Sequence, residues 1–235
     1  MNPALNDKTF SGIGYTEERM TTSGVINKSI VLWMILAVGA YLGWKNAITL
    51  APFMLPVCLI SLVLAIIIIF KKTTVSFLSP IYAFGEGLLM GFITLFFEKD
   101  YPGIAFNAVF LTISVLFCML AAFRAGIIKA TNKFYLIVGI STLAICLLYV
   151  VEFGFSLFGT TGFTFIHSSG PWGIIFSVFV VIIAALNLII DFDMIQKGVA
   201  VGAPKYMEWY GAFALMVTIV WLYLEILRLL SKIRR

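Results

Sequence analysis

The sequence predicts an all-α, polytopic membrane protein, a bundle of seven transmembrane helices, and three observations carry that reading. First, 62% of the 235 residues are hydrophobic and only 11% are charged, with a mean hydropathy of +1.07, so the chain lacks the residues to build a polar exterior around a soluble core. Second, the apolar residues gather into seven runs, each near the ~20 residues that a helix needs to cross a hydrocarbon core. Third, the connections are short, which makes neighbouring helices antiparallel and leaves no room for an extramembrane catalytic domain. In lipid, such helices satisfy their own backbone hydrogen bonds.

Taken in order, residues 1–28 are polar, with Pro3, Asp7, Glu17 and Glu18, and are expected to form a disordered cytoplasmic tail. They lack the early basic stretch running directly into an apolar core that marks a cleaved signal. The transmembrane domain is expected over 29–235, with spans at 29–44, 50–70, 75–97, 103–123, 134–158, 172–195 and 206–230. Trp44, Trp172 and Trp209 fall at span ends, where interfacial tryptophans are expected. The 159–170 connection is rich in Gly, Thr and Ser, holds the only histidine, His167, and reads as an external loop. Cys58, Cys118 and Cys146 lie inside apolar runs without metal-ligand spacing and read as small packing residues.

Basic residues set the orientation. The tail and the second, fourth and sixth connections hold ten Lys or Arg, against two, Lys45 and Lys99, on the other side. The positive-inside rule then places the N-terminus in the cytoplasm. Seven full crossings leave the basic C-terminus, Lys232-Ile233-Arg234-Arg235, on the opposite side. Either the last segment re-enters or the ten cytoplasmic charges outweigh this tail, and the second is the expectation.

Several function classes lack the residues they need. No basic stripe or soluble module supports nucleic-acid binding. One histidine in a loop cannot serve a Ser-His-Asp arrangement within the membrane, and HExxH and GxxxxGK motifs are missing. No enzymatic activity, cofactor or firm metal site is expected. The bilayer is the expected surrounding.

What remains is a small set of acids within apolar runs, where a charge is unfavourable by at least ~2.5–3.5 kcal/mol at the bilayer centre. Asp191 and Asp193 point about 200° apart on one helix, so they cannot share a proton as an intrahelical dyad. Asp191 shares a face with Ala184 and Asn187, a small and polar stripe suited to a helix–helix seam. Asp193 points elsewhere, toward the cytoplasmic water or a loop lysine. In the last span Gly211, Ala214, Thr218 and Glu225 lie within one narrow sector, which would hold Glu225 inside. Arg228, three residues on, offers it an intrahelical ion pair. Glu208 falls near the cytoplasmic start of that span and is expected to be solvated. Glu86 lies halfway along the third span beside the small-xxx-small pair Gly87 and Gly91, and is expected to line a polar interior. Glu152, near the outer end of the fifth span, is an intermediate case. Burial disfavours the ionised form of a carboxylate, and ionised oxygens suit hard cations such as Ca²⁺. A cation path gated by protonation is therefore chemically coherent, though the acids do not single out calcium over sodium or protons.

The longer motifs are Ile190-Asp191-Phe192-Asp193-Met194-Ile195, Ala203-Pro204-Lys205-Tyr206-Met207-Glu208-Trp209-Tyr210 and the run from Trp221-Leu222-Tyr223-Leu224-Glu225 to Arg228-Leu229-Leu230. Upstream stand Pro80-Ile81-Tyr82-Ala83 with Glu86-Gly87, and Arg124-Ala125-Gly126-Ile127-Ile128-Lys129. In these the chain resembles the Bax inhibitor family (transmembrane BAX inhibitor motif proteins), in its bacterial-type branch. The resemblance implies a central helix surrounded by the other six, location in the bacterial inner (cell) membrane, and a pH-sensitive Ca²⁺ leak controlled by an aspartate pair between the last two helices. Asp191 matches the sixth-helix member. Thr218 stands at the seventh-helix position where the pair's second aspartate is expected. A modified latch using Glu225 or Glu208 is the resulting expectation. Asp191, Glu86, Glu225 and Thr218 are thus the candidate path or gate residues, supported by Asn187, Asp193, Arg228 and Arg124. The alternative is a membrane-embedded regulatory or stress-survival protein acting through a membrane-protein partner such as a protease.

Overall fold

The computed structural model describes residues 19–157 and 168–235. Seven long helices follow one another: α1 (Thr22–Lys45), α2 (Met54–Phe70), α3 (Val75–Asp100), α4 (Ile104–Arg124), α5 (Asn132–Leu157), α6 (Pro171–Ala200) and α7 (Met207–Arg234). Short helical turns at Ala47–Leu50 and Ala51–Phe53 lead into α2, and another at Lys72–Thr74 leads into α3. Each long segment is long and apolar enough to cross a membrane. Among the described residues there is no strand, only one isolated bridge between Arg19 and Pro204.

The first helix begins earlier than the sequence suggests, at Thr22 rather than 29, so residues 22–28 are not part of a disordered tail. Thr21 is the reason: its backbone is extended (φ −127°, ψ 151°) and its Oγ1 accepts the Gly24 N–H at 3.0 Å, a standard N-cap. Residues 1–18 and the part of the Gly/Thr/Ser loop holding His167 lie outside the described residues.

Large apolar side chains such as Ile48, Phe70, Phe77 and Phe106 are exposed on the helices, an arrangement that lipid satisfies and water would not. The cysteines correct an expectation: Cys58, Cys118 and Cys146 are all exposed rather than packed inside. In a bilayer an apolar side chain is satisfied by lipid as well as by protein, so hydrophobicity alone does not predict interior packing. Helix α7 is the opposite case. Tyr210, Ala212, Phe213, Ala214, Met216, Ile219 and Leu222 are all buried, covering every face of the helix, the pattern of a helix enclosed by protein.

The chain forms two compact units, divided inside α6 and α7. One comprises α1 to α3 with Asp193–Val217. Its α1 and α3 meet along a reciprocal glycine seam. A Cβ at Gly39 would strike the Phe84 carbonyl, one at Gly43 the Leu88 carbonyl, one at Gly87 that of Leu36 and one at Gly91 that of Ala40. The Gly87/Gly91 pair read from sequence is thus answered by Gly39 and Gly43 on α1. Tyr82 of α3 also meets Phe213 edge-on, with ring centroids 5.1 Å apart.

The other unit comprises Gly103–Phe192 and Thr218–Arg235, that is α4, α5, most of α6 and the later part of α7. Its apolar core is Ile145, Val180 and Ile183, with Tyr149, Phe176, Leu186 and Trp221 packed around them.

Candidate functional site

Within the second of these units, α5, α6 and α7 carry polar groups on both sides of the Ile145–Val180–Ile183 core. On one side stands the α6 face that the sequence singled out. Asp191 is fully buried and Asn187, one turn earlier, is 1% exposed. Asn187 Nδ2 donates to Thr142 Oγ1 of α5 and to the Ile183 carbonyl, both at 2.8 Å. Because a carbonyl only accepts, these bonds fix which way the amide points. Among the described residues nothing donates to Asn187 Oδ1, so an unsatisfied acceptor stands one turn from a buried carboxyl. Thr218 on α7 is also buried, at 3% exposure. Thr142 is a residue that sequence reasoning missed. A lone threonine in an apolar run carries no periodic signal.

On the other side of the core lies a triad. The Glu225 carboxylate, 2% exposed, accepts from the Tyr149 hydroxyl at 3.0 and 3.1 Å and from Arg228 Nη1 at 3.0 and 3.1 Å. The same guanidinium donates to the Tyr149 oxygen and stacks over its ring, 4.9 Å from the centroid. The i,i+3 pair was legible in the sequence; Tyr149, 76 residues away, was not. One turn further, Lys232 is buried and donates to Ser177 Oγ at 2.7 Å and to the Gly173 carbonyl at 3.0 Å. From Ser177 to Asp191 is fourteen residues of α6, roughly 21 Å of helix.

The remaining candidates fall elsewhere. Asp193 pairs with Lys197 at 2.9 Å, one turn on within α6, where the sequence leaves it between cytoplasmic water and a loop lysine. Glu86, on α3 of the other unit, is hydrogen-bonded to Tyr82 one turn earlier on the same helix and is partly buried. Arg124 is exposed in the last turn of α4.

Glu208 overturns its expectation. It is 3% exposed rather than solvated, and its Oε1 accepts from Thr21 N at 3.1 Å and Thr21 Oγ1 at 2.9 Å. It sits at the N-terminus of α1, where a carboxylate is favoured by the helix dipole. A Cβ at Gly24 would overlap its carboxylate, which explains a glycine in the first turn of α1. Around it Met20 N donates to the Ala203 carbonyl at 2.7 Å, Lys28 lies 4.9 Å from the Trp209 ring centroid, and Arg19 packs on Gly202, whose φ of +67° suits glycine. Thr21-Thr22-Ser23 before an apolar run is a cap signal. A partner 187 residues away left none. The two carboxylates expected to replace the absent seventh-helix aspartate therefore have other partners: Glu225 has Tyr149 and Arg228, and Glu208 has Thr21.

No group of three or more His, Cys, Asp or Glu able to hold a metal ion occurs among the described residues. In comparison with known proteins, a family model described as Bax inhibitor 1 like matches residues 2–235. No curated protein and no solved structure matches the chain.

Proposed function

The chain belongs to the Bax inhibitor 1 like family of membrane proteins, and on that premise we propose that it is a passive, pH-sensitive cation leak that carries Ca²⁺. The single observation that carries the reading is Asp191, a carboxyl with no exposure, on a helix long enough to span a membrane. A buried acid in such a helix is retained at a cost in stability and marks an ion or proton pathway by default. Asn187 Oδ1, an unsatisfied acceptor one turn away, supports it. Asp191 acts as the gate element: ionised, it draws a cation into the α5–α7 unit; protonated, it does not. Thr218 takes the place of a second acid on α7, so one carboxyl responds to pH rather than a proton-sharing pair. The protein sits in the bacterial cell membrane with its N-terminus in the cytoplasm. Purified protein in liposomes is expected to admit Ca²⁺, and flux no greater than in empty liposomes would end the proposal.

A second reading is a membrane-embedded regulatory protein acting through a partner such as a membrane protease. The internal use of Glu225 and Glu208 favours it, since both acids serve structure. Crosslinking would then recover a stable partner while flux stayed at background.

A further inference from the structure

The Tyr149–Glu225–Arg228 triad is an unusual use of charge in a membrane-spanning unit. Glu225 is almost completely buried, while Arg228 remains 33% exposed. The guanidinium therefore approaches the carboxylate from the accessible side, and one nitrogen covers both of its oxygens. A carboxylate with a phenolic oxygen 3.0 Å away is a set of hard oxygen donors, the kind that Ca²⁺ and the lanthanides select. Arg228 already supplies the positive charge such an ion would bring. Lys232, the next cation on α7, donates to Ser177 Oγ and the Gly173 carbonyl, and its charge interacts with that of Glu225.

We propose that Arg228 is a tethered counter-cation, which occupies Glu225 and so keeps the Glu225–Tyr149 oxygens from binding a hard multivalent cation. The inference deepens the leak reading and rests on it for its purpose: a permeant ion meets no fixed trap in this part of the unit. Removing the guanidinium charge uncovers a cation site that the native protein keeps closed.

Tyr149, whose hydroxyl meets Glu225, is placed to sensitise a lanthanide bound there, and Trp221 packs against the same apolar core. Terbium titrated into the purified full chain reads this out. Arg228→Gln is expected to bind Tb³⁺ with sensitised emission at an apparent Kd about tenfold lower than wild type, displaceable by Ca²⁺. The double variant Glu225→Gln/Arg228→Gln should return to the wild-type level. Arg228→Met, which keeps an unbranched stem, serves the same purpose if the glutamine variant is not recovered folded. The proposal is overturned if neither Arg228 variant binds Tb³⁺ better than wild type, or if the gain survives loss of the Glu225 charge. Liposome flux of the wild type, measured in parallel, tests the leak reading separately: absent flux with the expected terbium pattern ends that reading and leaves the counter-cation role standing.

Discussion

Glu208 and Thr21 are 187 residues apart, yet the carboxylate of one accepts both the backbone N–H and the hydroxyl of the other, at 3.1 and 2.9 Å. The contact fastens the start of α1 to the start of α7. It also turns an acid that would be poorly accommodated in an apolar setting into the cap of a helix whose free N–H groups need acceptors.

That cap predicts an order of effects. Glu208→Gln keeps an Oε1 acceptor and should cost less than Glu208→Ala, which leaves Thr21 without its partner. Thr21→Val removes the cap oxygen and is expected to destabilise by about 1 kcal/mol. Thermal unfolding of the purified protein in detergent ranks the three. Equal effects of the two Glu208 variants would contradict the hydrogen-bonded arrangement.

The glycine seam predicts a different failure. Gly39, Gly43, Gly87 and Gly91 each face a backbone carbonyl of the opposing helix, which cannot move aside as a side chain would. Gly87→Leu should therefore force α1 and α3 apart at a cost of at least about 1–3 kcal/mol. Gly154, with nothing near its Cβ position, should accept alanine with little change in unfolding temperature.

In the triad, Tyr149→Phe deletes one hydroxyl from Glu225 while leaving Arg228 in place. A loss of about 1 kcal/mol is expected. Arg228→Ala leaves a carboxylate buried without its counter-charge and should cost more, about 3 kcal/mol or above. Both are read by unfolding temperature. A larger loss for Tyr149→Phe than for Arg228→Ala would contradict the assignment of the guanidinium as the principal partner.

Asn187→Ala removes the bond to Thr142 between α6 and α5. Thr142→Val removes the same bond from the other side. If the contact is the shared element, the double variant should be no more destabilised than the sum of the singles, and by less than it by roughly 0.5 kcal/mol or more. Strict additivity would mean that the two side chains act independently.

What could be read from sequence follows the physical range of each interaction. Seven spans and the Glu225–Arg228 pair were legible because length, hydropathy and i,i+3 spacing are local properties, while the sequence places Asp193 only toward cytoplasmic water or a loop lysine. The partners Tyr149, Thr142 and Thr21 were not, since each is supplied by a distant helix or chain end and leaves no period behind. Glu208 was misplaced into water because its position near a span end looked solvated. The start of α1 was misplaced because Thr22, Ser23, Asn27 and Lys28 read as tail until Thr21 is seen to cap them. The cysteines were placed inside because an apolar run does not say which face meets lipid.

The most direct test of the central claim is calcium entry into liposomes bearing the wild type or Asp191→Asn, followed across a range of pH. If Asp191 is the gate element, wild-type flux falls as the pH drops, and the Asp191→Asn flux, like that of the protonated acid, stays low without following pH. An Asp191→Asn protein that conducts with the wild-type pH profile would contradict the account.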